Sequence, residues 1–165
     1  MKPSVLFVCL GNICRSPLAE AAFRQEAQRI GLDVEVDSAG TGDWHIGHPP
    51  DPRAQAAAQR NGLDIGDYRA RQVGPADFHR YSHIIALDLQ NLADLEAMRP
   101  EDAPAALTLL LDHVDGQEGG AVPDPYHGTD ADFDQTWTSV VEGAAGLARA
   151  VEAWVARHGG NQPVA

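Results

Sequence analysis

An apolar run, Val5-Leu6-Phe7-Val8, leads into the loop Cys9-Leu-Gly-Asn-Ile-Cys-Arg15 and then into Ser16-Pro17. No other stretch restricts the fold so tightly. The run is short, half β-branched and preceded by Pro3, the pattern of a buried strand. Ser suits an N-cap and Pro a first helical turn, so a helix is expected to open here with Ser16 as its cap. A cysteine therefore ends a strand, and a loop carries the chain to an arginine at a helix mouth. Such a loop turns main-chain N–H groups inward, and the helix end adds positive potential, which suits an oxyanion such as phosphate. Arg15 can fork two hydrogen bonds onto two phosphate oxygens. The same field favours the thiolate of Cys9 and so supplies a nucleophile. Taken alone, Cys9 reads equally well as a buried structural cysteine.

The rest of the chain narrows the class. Lys plus Arg number 12 against 24 Asp plus Glu, a net charge of −12 over 165 residues. A surface that acidic repels nucleic acids and anionic lipids, so neither is expected as a partner. Any anion site must then be a local positive spot, as the Cys9–Arg15 loop would be. The two cysteines both lie in that loop, unlike a disulfide framework. No stretch has the length of a signal peptide or a membrane span, and the expected compartment is the cytoplasm.

Helices and strands alternate along the sequence. A helix is expected from Pro17 to about Ile30, stopped by Gly31, with Leu18, Ala22, Phe23, Ala27 and Ile30 buried and Glu20, Arg24 and Gln28 facing water. Val34-Glu-Val-Asp37 alternates with period two, as an edge strand does, and Ser38 to Gly42 starts a long loop reaching Pro49-Pro50. Asp51-Pro52 caps a helix over Ala54 to Asn61, closed by Gly62. Residues 64–75 read as loop, and Ala76 to Tyr81 as a helical turn or two. His83 to Leu87 is an apolar, central strand, after which Asp88 caps a helix through Leu89, Leu92, Leu95 and Met98.

Leu107 to Leu111 is the fourth strand, followed by a loop rich in Asp, Gly and Pro from Asp112 to Thr129. The last helix runs from Asp130 to Arg157 on a stripe of Trp137, Val140, Val141, Ala144, Leu147, Ala148, Val151, Trp154 and Val155. Alternating strands and helices imply parallel βαβ units, hence one doubly wound α/β domain over residues 1–158, with 159–165 a disordered tail. Ligands of such sheets bind beyond the carboxyl ends of the strands, where Cys9 stands.

Attack by Cys9 on a phosphate ester expels an oxygen that needs a proton, so a general acid is required nearby. Asp124 is bracketed by Pro123 and Pro125, which stiffen a loop that could aim it; the same residues also make an ordinary turn. Trp44 and Tyr126 are aromatic residues in loops, where burial in a core is less assured than in a helix and partial packing on the surface is the plain reading. Asn12 tolerates the left-handed backbone that a tight anion loop demands. His45 and His48 lie close to Asp51, but no ligand spacing completes a metal site, and no metal or other cofactor is expected. Gly40-Thr-Gly42 lacks the third glycine of a nucleotide motif.

Cys9-Leu-Gly-Asn-Ile-Cys-Arg-Ser-Pro17 resembles the active-site loop of the low-molecular-weight protein tyrosine phosphatases. Further matches are Asp37-Ser-Ala-Gly-Thr41, Asp43-Trp44, Pro49-Pro-Asp-Pro-Arg53, Arg69-Ala-Arg-Gln72 and Asp124-Pro-Tyr126, so the likeness spans nearly the whole chain. The resemblance implies a flavodoxin-like, four-stranded parallel sheet flanked by helices. It implies hydrolysis of phosphotyrosine proteins or small aryl phosphates through phosphocysteine on Cys9, with Arg15 binding phosphate and Asp124 as general acid.

On the same resemblance, Leu10, Gly11, Asn12, Ile13, Cys14 and Ser16 complete the phosphate loop, and the Ser16 hydroxyl stabilises the departing thiolate. Ser38 holds Asn12 from the loop after the second strand, and Trp44, Tyr126 and His127 wall the pocket. His127 and Tyr68 depart from common family residues, aromatic and histidine respectively, and bear on selectivity. The related arsenate reductases need further cysteines downstream, and this chain has none after Cys14. A non-catalytic phosphopeptide-binding module would need neither Cys9 nor Asp124. Nothing in the residues specifies an oligomeric state.

Overall fold

Strand β1, Ser4–Cys9, is buried along its whole length in the computed structural model, which describes residues 2–158. It is central because both faces are apolar, so both must be covered. Strands β2 (Glu35–Gly40), β3 (His83–Ala86) and β4 (Ala106–Leu109) complete a four-stranded sheet in the order β2-β1-β3-β4, and every pairing is parallel. That is the order of a flavodoxin-like sheet, whose switch point lies between β1 and β3.

Period-two alternation sends the side chains of β1 and β3 into two cores. Val5, Phe7, Ile85 and Leu87 join Leu18, Phe23, Phe133, Val140, Leu147 and Val151 on one face. That face is covered by α1 (Arg15–Ile30), α2 (Pro52–Arg60) and the long α5 (Asp130–His158), with α1 packed along α5. Leu6, Val8, Ile84 and Ala86 face Phe78 and Leu95 on the other, beneath α3 (Asp77–Arg80) and α4 (Leu89–Met98). Each fully buried Leu, Ile or Phe contributes about 1.5–3 kcal/mol relative to exposure.

Local signals account for the starts of α2 and α4. Asp51 accepts the N–H of Arg53 at 2.8 Å, with Pro52 at the first helical position. Asp88 likewise accepts the N–H of Asn91 at 2.7 Å and caps α4.

Five expectations need correction. The first helix starts at Arg15, with no side-chain cap from Ser16, whose hydroxyl points under the loop instead. Glu20 does not face water: it is 3% exposed because Ser38 and Arg24 both donate to its carboxylate. The second strand runs on through Ser38, Ala39 and Gly40, which pair with Phe7, Val8 and Cys9, so Ser38 is a strand residue. The fourth strand ends at Leu109 and gives way to a 3-10 turn, Leu110–His113, where Asp112 takes the Leu109 N–H at 3.0 Å. Val141 lies on the α5 stripe but is 40% exposed, since its neighbours Val140 and Ala144 already meet the core. The tail at 159–165 lies outside the described residues.

Candidate active site

The loop after β1 closes over the switch point. Its carbonyls are tied outward: Thr41 N–H donates to Cys9 O, Gly42 N–H to Leu10 O and Asp51 N–H to Ile13 O, each at 2.9 Å. No acceptor among the described residues takes the N–H groups of Gly11, Asn12, Ile13 or Cys14. Main-chain donors without a protein partner in so enclosed a loop call for an anion or water. Gly40 lets the loop come this close: a Cβ there would stand 2.8 Å from Leu10 O and 3.1 Å from the Gly11 carbonyl carbon.

Asn12 holds the sharpest bend, at φ 58°, the single non-glycine residue with positive φ among the described residues. Its side chain is locked from three directions. Arg71 N–H donates to Asn12 Oδ1 at 3.0 Å, which assigns Nδ2 to the opposite side. There Nδ2 donates to Ser16 Oγ at 2.8 Å and to Ser38 Oγ at 3.0 Å. Ser38 in turn donates to Glu20 Oε1 at 2.8 Å. Burial, against the bonds from Ser38 and Arg24, holds the Glu20 carboxyl above its ordinary range. Ser16 Oγ accepts from Asn12, and its own hydrogen has two acceptors within reach, Cys9 Sγ at 3.0 Å and Ala39 O at 3.5 Å. The chain of hydrogen bonds from Glu20 thus places one hydroxyl beside the sulfur.

Among the described residues, Arg15 is the one lysine or arginine that lines the cleft, and its side chain is 3% exposed. Nη1 donates to Asp88 Oδ2 at 2.6 Å and to Val122 O at 3.1 Å; Nη2 lies 3.6 Å from Asp124 Oδ2. Burial works against its charge, but Cys9, Asp88 and Asp124 outweigh that and raise its pKa further. Cys14 lies in the same loop, yet burial, then Asp51 and Cys9, push its thiol far above the ordinary range. It stays neutral, and both cysteines are free.

Asp124 sits between two anchors. Val122 N–H donates to Leu87 O at 2.8 Å, fixing the loop to the end of β3. On the other side Arg53 donates to Tyr126 O at 2.8 Å and to Gly128 O at 3.2 Å, and its guanidinium lies 4.7 Å from the Phe133 ring centre. The Asp124 side chain remains 44% exposed at the mouth.

The resulting cleft has a volume of about 290 Å³. It is lined by Cys9, Leu10, Gly11, Ile13, Cys14 and Arg15 of the loop, by Trp44 and His45 of the segment after β2, and by Asp124, Tyr126 and His127 of the segment before α5. Asn12, Ser16 and Ser38 are buried and do not line it. Tyr68 does not reach the cleft: it packs on the core near Glu20 and Arg24, where burial pushes its hydroxyl up to about 12.

Sequence reasoning missed two residues. His45 follows Trp44 directly, so its place in the sequence carries a signal for the cleft beyond its spacing to His48 and Asp51. Asp88 carried a capping signal alone, and nothing local announces that its second oxygen holds Arg15 from across the sheet.

A cysteine, a buried arginine and a carboxylate thus meet in one cleft, whose loop N–H groups have no acceptor among the described residues. The family described as low molecular weight phosphotyrosine protein phosphatase matches residues 4–157. The low molecular weight protein-tyrosine-phosphatase YfkJ of Bacillus subtilis is 45% identical over 126 residues, 75% of this chain and 81% of that protein. A protein tyrosine phosphatase from Entamoeba histolytica superposes with TM-score 0.87 at 32% identity, over 93% of this chain and 99% of that one. The Drosophila arginine phosphatase superposes with TM-score 0.85 at 30% identity, over 92% and 98%. This chain is a phosphatase of the low molecular weight phosphotyrosine protein phosphatase family.

Proposed function

We propose that the chain hydrolyses aryl phosphate monoesters, phosphotyrosine in proteins above all, by two in-line displacements at Cys9. The observation that carries this reading is the placing of Cys9, Arg15 and Asp124 around one cradle, with Arg15 Nη2 3.6 Å from Asp124. The phosphoryl group sits on the loop N–H groups and the Arg15 fork. The Cys9 thiolate attacks phosphorus, the phosphorus–oxygen bond breaks, and protonated Asp124 gives its proton to the leaving phenolate oxygen. In the second step Asp124, now a carboxylate, takes a proton from a water whose oxygen attacks phosphorus. The sulfur–phosphorus bond breaks, inorganic phosphate leaves, and the Ser16 hydroxyl donates to the returning thiolate.

Trp44, Tyr126 and His127 would flank the substrate ring, with Leu10 and Ile13 beside it. Asn12, held by Ser38, keeps the cradle in shape before substrate arrives. Residues 1–158 form one phosphatase domain in this reading, which acts on phosphotyrosine proteins in the cytoplasm. A mechanism built on a free Cys9 thiolate beside Cys14 needs a reducing compartment. The acidic surface argues against nucleic acid as a partner.

The test is phosphate release from matched phosphotyrosine and phosphoarginine peptides. Turnover should favour phosphotyrosine, and Arg15→Lys should lower it at least tenfold, since an ammonium cannot make the two-pronged contact. Preference for phosphoarginine would overturn the substrate class, and near-normal activity of the lysine variant would overturn the mechanism.

A further inference from the structure

Trp44 is 65% exposed, too open to be held by a core, yet it stands as a wall of the cleft. What fixes it is a glycine two residues earlier. A Cβ built on Gly42 would lie 1.9 Å from Cζ3, 2.3 Å from Cε3 and 2.9 Å from Cη2 of Trp44. All three atoms belong to the six-membered ring, so the indole rests directly on the Gly42 backbone. The backbone itself does not ask for glycine here, because Gly42 is not among the glycines with positive φ. The space a Cβ would take is instead filled by the indole.

Gly42 is also tied to the phosphate loop. Its N–H donates to Leu10 O at 2.9 Å, and Thr41 N–H donates to Cys9 O at 2.9 Å. Gln72 Nε2 holds the Thr41 carbonyl from the far side at 3.1 Å. The platform under the indole is therefore joined, by two main-chain hydrogen bonds, to the residues that cradle phosphate.

We propose that Gly42 is a positioning residue that sets the distance between the Trp44 wall and the phosphate cradle, and so makes the cleft selective for esters carrying an aromatic ring. This rests on the reading of Trp44 as a wall of an aryl pocket. An added methyl group meets the exposed end of a side chain that can swing away, so the fold tolerates it while the wall moves.

Gly42→Ala, Trp44→Ala and the double variant are compared on phosphotyrosine, on glycerol phosphate and for inhibition by vanadate. Gly42→Ala should lower kcat/KM for phosphotyrosine about two- to tenfold, the range of one lost ring–ring contact, mainly through KM. Glycerol phosphate turnover and vanadate inhibition should hold, because Ala keeps the N–H to Leu10. In the Trp44→Ala background the same substitution should have no further effect, as no indole remains to displace.

An equal loss with and without the indole overturns the proposal. So does a Gly42→Ala enzyme with unchanged aryl preference while Trp44→Ala loses it. If Trp44→Ala itself leaves aryl preference intact, the wall reading fails first, and the role of Gly42 falls with it.

Discussion

Arg15 and Asp88 form a two-pronged connection between catalysis and fold. Arg15 Nη1 donates to Asp88 Oδ2 at 2.6 Å, while Oδ1 of the same carboxylate accepts Asn91 N–H at 2.7 Å and caps α4. The arginine is thereby anchored to the end of β3, across the switch point from Cys9. Its second nitrogen remains aimed at the mouth, 3.6 Å from Asp124.

Asp88→Ala should therefore cost twice. Loss of the cap and of a partner for a buried cation should lower stability by about 2–4 kcal/mol. Misplacement of Arg15 should cut kcat/KM by about 10–100-fold. Asp88→Asn can keep the cap through its amide oxygen but leaves Arg15 facing an NH2 group, so it should lose comparable activity and less stability than Asp88→Ala. Urea unfolding and steady-state kinetics on the two variants check this; an alanine variant of full activity would contradict it.

Gly40 and Gly42 should respond differently to the same methyl group. At Gly40 the added carbon meets main chain, 2.8 Å from Leu10 O, and nothing there can swing aside. Gly40→Ala should deform the cradle, weaken vanadate binding more than tenfold and lower stability by about 1–3 kcal/mol. Vanadate inhibition close to wild type would contradict that.

His83 predicts an acid sensitivity remote from the cleft. It is 6% exposed, accepts or donates at Ser82 Oγ at 2.8 Å, and meets the edge of the Trp154 ring. Burial, followed by the charges of His113, His158 and Arg157, lowers its pKa from 6.5 to about 4. Between those values the unfolded chain binds the proton and the folded chain does not. Stability contributed here is complete above 6.5, falls as pH drops, and is gone below about 4. The loss should be on the order of 3 kcal/mol. Urea midpoints should decline more steeply with acid for wild type than for His83→Gln; parallel declines would contradict this.

Asp124→Asn keeps the shape of the acid and removes its proton. Tyrosine phosphate expels a phenoxide whose conjugate acid has pKa about 10, whereas an activated aryl ester needs little help. First-turnover rates by rapid mixing should fall about 10²–10⁴-fold for tyrosine phosphate and far less for the activated ester. A common factor across leaving groups would remove Asp124 from the acid role.

Local signals made much of this legible. Val5–Val8 specified a strand, Asp51-Pro52 and Asp88 specified helix starts, and alternating elements specified a parallel sheet. Three of the misses, at Glu20, Ser38 and Asp88, share one cause, which is distance in sequence. Glu20 reads as a surface residue on α1, and is buried because Ser38, 18 residues away, donates to it from an adjacent strand. Ser38 looked like loop because Ser-Ala-Gly has weak strand propensity, yet pairing with Phe7–Cys9 overrides that. The hold of Asp88 on Arg15 spans 73 residues and exists only once β3 lies beside β1.

The central claim is covalent: phosphate passes through the sulfur of Cys9. Rapid quenching of wild type with a radiolabelled aryl phosphate, followed by peptide mapping, tests it directly. The account predicts one phosphoryl group per active site on the peptide containing Cys9, formed with the first burst of phenol, and none in Cys9→Ser. A normal burst with no label on Cys9, or with the label on another residue, would contradict it.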